Sequence, residues 1–275
     1  MQKNKIYILI ICAVFTLASC GEYQKVLNKG EVTEQYKMAT EMYENQKFSK
    51  AIQLFEKITP SYRGKPQMER IQYMIAQSHY NTKQYSLAAY YFDKFAKNYP
   101  KSSKLEEAAY LSAHSYYLAS PIFSLDQKDT NEAINALQNF IYKYPSSTRV
   151  ADANKYISEL TVKLEKKSFE IARQYYHTED YIATVVAVDN LLSDYLGTKY
   201  KEEALYVKFL AGYELGMNSI FRKKEERIKN AIKYHERFKK SYPKSEYLAE
   251  TEDKVKDLTK ELSSVIELKT ENNGL

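Results

Sequence analysis

Apolar positions in this chain recur at helical spacing, and they recur in copies. Five segments share one arrangement built around a small residue: Ala51, Ala88, Ala133, Thr184 and Ala231. Three positions earlier stand Phe48, Tyr85, Thr130, Tyr181 and Ile228, and seven positions later Ile58, Phe95, Phe140, Leu191 and Phe238. The eleventh position after the small residue is tyrosine in every copy: Tyr62, Tyr99, Tyr144, Tyr195 and Tyr242. Tyrosine fills about a tenth of the chain, so five of five has chance odds of roughly 1 in 100,000, and the repeat is treated as real. Offsets of −3, 0, +4 and +7 trace one face of an α-helix, with the small residue where a second helix can approach closely.

Each such helix needs a stop and a partner. Three of the tyrosines precede Pro100, Pro145 and Pro243, and proline disfavours helical geometry in the residue before it. Ser102 and Ser147, just beyond, are N-cap candidates for the next helix. Upstream lie matching segments, Tyr36-x-x-Ala39-x-x-Met42-Tyr43 and Tyr73-x-x-Ala76-x-x-His79-Tyr80. Tyr110-x-x-Ala113-x-x-Tyr116-Tyr117 and Phe169-x-x-Ala172-x-x-Tyr175-Tyr176 repeat that spacing. Each unit is therefore expected to be a helical hairpin whose apolar faces are covered by stacking on its neighbours.

The pattern resembles the tetratricopeptide repeat (TPR), with longer spacings of 37, 45, 51 and 47 residues. The fold expected is all-α, a superhelical solenoid of about five TPR-like hairpins. Extra residues have places: a loop over Ser120 to Gln127 in the third hairpin, and a long helix leading into the fourth, with Val150, Ile157, Leu164 and Ile171 at seven-residue intervals. Leu248, Val255 and Leu262 suggest a further long helix, with Leu258 and Val265 on its second seam.

At the N-terminus, Lys3 and Lys5 precede an apolar run from Ile6 to Leu17 that ends in Ala18-Ser19-Cys20. A charged start, a short apolar stretch and small residues form a secretory signal, too short to span a bilayer as a helix. Small residues directly before a cysteine resemble a bacterial lipobox, which implies diacylglycerol and fatty acyl (palmitate) chains on Cys20 as the membrane anchor. Cys12 lies within the segment removed, so Cys20 is the only cysteine of the remaining chain. The organisation expected is signal peptide 1–19, lipidated tether 20–33, repeats 1–3 over 34–149, linking helix with repeats 4–5 and a C-terminal helix over 150–269, and a disordered tail 270–275.

Composition narrows the function. Apolar residues at 44% exclude wholesale disorder, and seven Gly and six Pro in 275 residues argue against a many-turned β-fold. The net charge of +6 is dispersed, which speaks against nucleic acid as a partner. No catalytic signature is found. Gly64-Lys65 lacks the rest of a phosphate loop, and none of His79, His114, His177 and His235 has a second His at metal-binding helical spacing. His79 and His235 read as core residues. Glu106-Glu107 and Glu202-Glu203 read as first-turn acids that suit the helix dipole. No enzyme activity, metal, cofactor or small-molecule substrate is expected.

The 27 tyrosines invite two readings, core packing and groove lining. Tyr43, Tyr80 and Tyr117 flank the packing position on the first helix of their hairpins and are the peptide-groove candidates, since amphipathic rings there suit an extended or aromatic-rich peptide. Taken together the chain resembles the BamD family, lipoproteins of the outer-membrane β-barrel assembly machinery. The match runs through Cys20-Gly21-Glu22-Tyr23-Gln24-Lys25-Val26-Leu27, Phe48-Ser49-Lys50-Ala51-Ile52 and Phe95-Ala96-Lys97-Asn98-Tyr99-Pro100. It continues in Leu125-Asp126-Gln127-x-x-Thr130 and Ala172-Arg173-Gln174-Tyr175-Tyr176 followed by Tyr181, while Tyr62-Arg63 and Tyr195-Leu196 depart from Tyr-Pro. The resemblance implies a non-enzymatic periplasmic scaffold at the outer membrane. Its N-terminal repeats would receive unfolded outer-membrane protein precursors, and its C-terminal repeats would dock the insertase BamA. Docking candidates are Asp126 and Gln127 in the loop, and Arg222 and Arg227 in the last repeat. The alternative is another periplasmic TPR lipoprotein serving as a cell-wall or cell-division adaptor.

Overall fold

A computed structural model describes residues 21–273, in which twelve helices and no strand occur. Helix α1 covers residues 21–29. Three hairpins follow: α2 (Val32–Glu44) with α3 (Phe48–Tyr62), α4 (Gln67–Asn81) with α5 (Tyr85–Asn98), and α6 (Leu105–Ala119) with α7 (Lys128–Lys143). The long α8 (Val150–His177) then pairs with α9 (Tyr181–Asp194), and α10 (Lys201–Met217) with α11 (Phe221–Ser241), before α12 (Leu248–Asn273). The expected all-α, TPR-like repeat fold is the one observed. The chain forms two compact units, one holding the described residues up to Pro121 with Gln127–Ile157, the other Ile122–Asp126 with Ser158 onward. The division thus falls inside α8 rather than at residue 150.

Every small residue that defined the repeat is sealed. Ala51, Ala88, Ala133, Thr184 and Ala231 are fully buried, and so are Ala39, Ala76 and Ala172 on the partner helices. A methyl group or a single hydroxyl at the crossing lets two backbones approach closely, and the larger side chains then close around it. In the first unit Phe55, Ile58 and Ile71 fill one core cluster and Phe92 and Phe95 the next. In the second, Phe169 packs with Val188 and Leu191, and Phe209 with Ile228 and Leu258. Truncating a buried Phe to Ala at such sites costs about 3–5 kcal/mol. Lys208, buried in α10, is satisfied by Asp189 Oδ1 at 2.5 Å and lies over the Tyr234 ring.

Two turn designs repeat. Between the helices of hairpins 1, 2 and 4 the chain closes a Schellman motif: Lys47 N–H donates to Met42 O and Gln46 N–H to Tyr43 O, with equivalents at Gln84/Lys83 and Asp180/Glu179. Gln46, Lys83 and Glu179 therefore sit at φ of 57°, 60° and 61°, a region that side chains resist. Between hairpins, Tyr99, Tyr144, Tyr195 and Tyr242 are helix C-caps at φ near −130°. Three residues on, Ser102, Ser147, Thr198 and Ser245 donate their N–H to the tyrosine carbonyl, and their hydroxyls accept the N–H two residues further along. Ser102 and Ser147 thus organise the turn three residues before the helix and are not its N-cap. The motif survives without proline: Tyr195-Leu196 closes like the Tyr-Pro turns, using Gly197 at φ +83°. Tyr62 is different, lying inside α3 with Pro60 behind it, and Arg63 takes the cap position.

Two further expectations need correction. The tether is structured from residue 21: Tyr23 and Val26, one helical turn apart, are buried, and the Tyr23 hydroxyl is 2.9 Å from Gln53 Oε1. Gln35 Nε2 donates to the Val26 and Leu27 carbonyls, satisfying the end of α1. The tail expected to be disordered from residue 270 continues α12 to Asn273. The long helix expected from the seven-residue spacing is α8, whose most buried positions are Ala153, Leu160, Phe169 and Ala172, with Ile171 40% exposed. On α12 the second seam is buried, at Leu258 and Val265 with Thr251. Residues 1–20, with the expected signal segment and Cys20, lie outside the described residues.

Because Lys83 is exposed and held at positive φ, Lys83→Gly is expected to raise stability by about 0.5–1 kcal/mol, read as a higher urea midpoint at unchanged m-value. An unchanged or lower midpoint would contradict the strain assigned to that turn.

Candidate functional site

The first helices of the three N-terminal hairpins bring the groove candidates onto an aromatic wall. Each candidate tyrosine lies four residues after the sealed alanine of its helix. That offset sets the ring against the second helix: Tyr43 meets Phe48 edge-on at 5.7 Å, and Tyr80 meets Tyr85 at 5.9 Å. The rings are half-buried: Tyr43 and Tyr80 close their own hairpins, Tyr117 stacks on Tyr156 of α8, and all three leave surface to solvent.

Tyr80 and Tyr117 converge on His114 of α6. The Tyr80 hydroxyl is 2.8 Å from His114 Nδ1, and the imidazole stacks against Tyr110, Tyr117 and Tyr156, the last at 4.9 Å. Tyr117 and Tyr156 stack at 4.3 Å, and the Arg149 guanidinium lies 4.8 Å from the Tyr110 ring centre. Tyr43 stands apart from this cluster, in a cavity of about 420 Å³ with Arg70, Tyr73, Met74, Phe95 and Lys104. Glu107 stands between the two regions: it pairs with Lys104 of the cavity at 2.9 Å, and the charge of Arg149 acts on its carboxylate from the other side. The wall is thus apolar in its ring faces and polar at its edges, with cations of Arg70, Lys104 and Arg149 spaced along it.

Burial dominates the electrostatics. It pushes the Tyr73 phenol up to about 12, with the Glu107 carboxylate adding to the rise and a hydrogen bond from Gln77 opposing it. The Tyr110 phenol is raised by burial and by its hydrogen bond with Tyr156. Burial also pushes the Glu107 carboxyl up, but Lys104, the Tyr73 hydroxyl and Arg149 outweigh it and hold the group below its usual range. His114 is held below the ordinary imidazole value by burial, with Asp152 acting weakly against that shift. The raised phenols of Tyr43, Tyr73, Tyr80 and Tyr110 are neutral at pH 7.

Of the docking candidates, Asp126 is exposed, but Gln127 is 7% exposed and its Oε1 accepts the Thr130 hydroxyl at 2.8 Å, at the start of α7. Arg222 is exposed on the first turn of α11. Arg227 is half-buried and donates to Ser219 Oγ at 2.7 Å, tying down the α10–α11 turn. His79 and His235 are core residues as expected, and Glu106, Glu107, Glu202 and Glu203 occupy first turns. Tyr73, Tyr110, His114, Tyr156 and Arg149 were not singled out from sequence as lining this wall. The signal was present for two of them, since Tyr73 and Tyr110 occupy the same offset before Ala76 and Ala113. Among the described residues no cluster of His, Cys, Asp and Glu could hold a metal ion, and no helix is long and apolar enough to cross a membrane.

The geometry is that of a TPR-type repeat protein that offers a ring-lined face. Residues 28–227 match the YfiO family, described as outer membrane lipoprotein, and the chain belongs to that family. It is similar to the outer membrane protein assembly factor BamD of Neisseria meningitidis serogroup A, 31% identical over 91 residues, or 33% of this chain and 34% of that protein. The BamD of Neisseria gonorrhoeae is 30% identical over 86 residues, 31% of this chain and 32% of that one. The similarity spans about a third of the length of these curated relatives. Among solved structures, a Podosopora anserina chain with nearly identical TPR-like repeats aligns at a TM-score of 0.32 and 11% identity, over 76% of this chain and 96% of that one, too slight a likeness to bear on the argument.

The His114 environment sets a pH dependence. Its folded value is depressed, so the unfolded state binds the proton first, and stability falls as pH drops through about 6.5 toward the folded value. His235, also depressed by burial, adds a loss of the same sign. Urea unfolding at pH 7.5 and pH 5 is expected to show a smaller loss for His114→Gln than for wild type. An equal loss would mean that His114 is not buried as neutral imidazole.

Proposed function

We propose that this chain is a non-enzymatic, lipid-anchored scaffold of the outer-membrane β-barrel assembly machinery, facing the periplasm, which binds unfolded barrel precursors and the insertase BamA. The observation that carries the precursor half of this reading is the wall of half-buried rings over the first three hairpins. Rings already fixed by their packing lose little conformational freedom on binding, and their edges and hydroxyls can meet both the apolar side chains and the backbone of an extended strand. Family membership and the partial likeness to BamD proteins support the assembly half.

In this reading Cys20 carries the acyl chains. Several chains anchor stably where one would be marginal, and confinement at the membrane raises the effective concentration of client and insertase, so weak contacts suffice. Tyr43, Tyr80 and Tyr117 receive the precursor. Insertase docking uses the segment at Asp126 and Gln127 and the last two repeats, with Arg222 in contact and Arg227 holding the turn beneath it; Gln127 contributes by fixing the start of α7.

Replacing Tyr43, Tyr80 and Tyr117 together by alanine is expected to lower crosslinking of an unfolded barrel precursor at least about tenfold, while the triple Tyr→Phe protein keeps most of it. Crosslinking unchanged in the alanine protein would end the groove assignment. Affinity purification of the anchored protein from membranes should bring down the insertase, and recovery of peptidoglycan enzymes in its place would favour a cell-wall adaptor.

A further inference from the structure

The start of α11 exposes side chains that neither the core nor the local ion pairs use. Ile220 and Phe221 are 66% and 42% exposed, whereas Ile228, two turns further on, is fully buried. Arg222 and Lys223, immediately after them, are exposed and form no ion pair with another described residue. The neighbouring cations are engaged: Lys224 with Glu261, Lys229 and Lys269 with Glu225, and Arg227 with Ser219. The Lys269–Glu225 pair sets the end of α12 beside the start of α11. Ile266 and Leu268, 42% and 49% exposed, therefore lie at the same end of the second unit. Scattered apolar side chains on a surface are ordinary, but large ones gathered at one end beside unpaired cations mark an interaction surface. The first turn of α11 contains cations and no acid, which is unfavourable for the helix itself.

We propose that Ile220 and Phe221 are the apolar anchors with which the second unit docks a folded protein domain, and that this domain presents an apolar cleft edged by carboxylates facing Arg222 and Lys223. The inference rests on the reading that the last repeats dock the insertase, and it names the chemistry of that contact. Charge decides between a protein and a bilayer as occupant. Glu226, Glu267 and Glu271 are exposed around the same end and would be repelled by a layer of lipid phosphates. A rim of mixed sign around an aromatic and aliphatic centre is the make-up of a protein interface. Phe221 with Arg222 supplies the aromatic and guanidinium pairing that dominates such contacts.

The test uses the full-length chain and the purified polypeptide-transport domains of the insertase, with Kd and association rate measured for wild type, I220S/F221S and R222E/K223E. All four side chains are exposed, so melting temperatures should stay at the wild-type value. I220S/F221S is expected to weaken Kd at least tenfold, and R222E/K223E to slow association and flatten its salt dependence. Wild-type binding that I220S/F221S retains at full strength overturns the inference alone. Failure of the wild-type chain to bind the domains at all overturns the insertase reading and this inference with it. Binding of wild type to anionic phospholipid vesicles that is lost in I220S/F221S overturns it in favour of a membrane contact.

Discussion

Everything in this molecule depends on a side chain no larger than threonine at each place where two helices cross. At Ala51, Ala88, Ala133, Thr184 and Ala231 there is no exposed area and no room, and the partner alanines are as tightly enclosed. The absence of bulk is the interaction. It lets backbones approach until Phe55, Phe92, Leu137, Phe209 and Phe238 can close over the contact. Stacks of short hairpins have no other deep core to fall back on, so each crossing holds its own hairpin and also presents a face to the next.

Turn chemistry converts this packing into a regular array. The Schellman closures end the first helix of three hairpins in one geometry, and the Tyr-x-x-Ser/Thr turn starts each following helix six residues after the tyrosine cap. Fixed turn lengths keep equivalent residues in equivalent places. The result in the first unit is that Tyr80 and Tyr117 gather with Tyr110 and Tyr156 around His114, while Tyr43, at the same offset from its alanine, stands with Tyr73 in the neighbouring cavity. The wall needs no designed pocket. It follows from a repeat whose packing residues have aromatic neighbours.

Much of this was legible in the residues, because a repeat tests itself: an offset that recurs five times is a statement about burial. The hairpins, their crossings and the core histidines could all be read that way. The seam of α8 could not. A seven-residue repeat drifts by about 20° per heptad on a straight helix, and the buried positions of α8 change register from Ala153 and Leu160 to Phe169 and Ala172. The helical state of α1 was hidden because its two buried residues, Tyr23 and Val26, carry too short a pattern to announce a helix. Charge was a poor guide to availability: Arg227 looks like Arg222 in sequence, yet one braces a turn and the other faces solvent. Nothing in the sequence pattern marks Ile220 and Phe221 ahead of the charged tract, and only their exposure sets them apart.

The most direct test of the crossing constraint is urea unfolding of Ala88→Leu beside Ala151→Leu. Both add the same side chain to a helix, one at a sealed crossing and one on exposed surface of α8. The account predicts a loss of about 1–3 kcal/mol for Ala88→Leu and a change within about 0.5 kcal/mol for Ala151→Leu. Equal midpoints for the two proteins would contradict it.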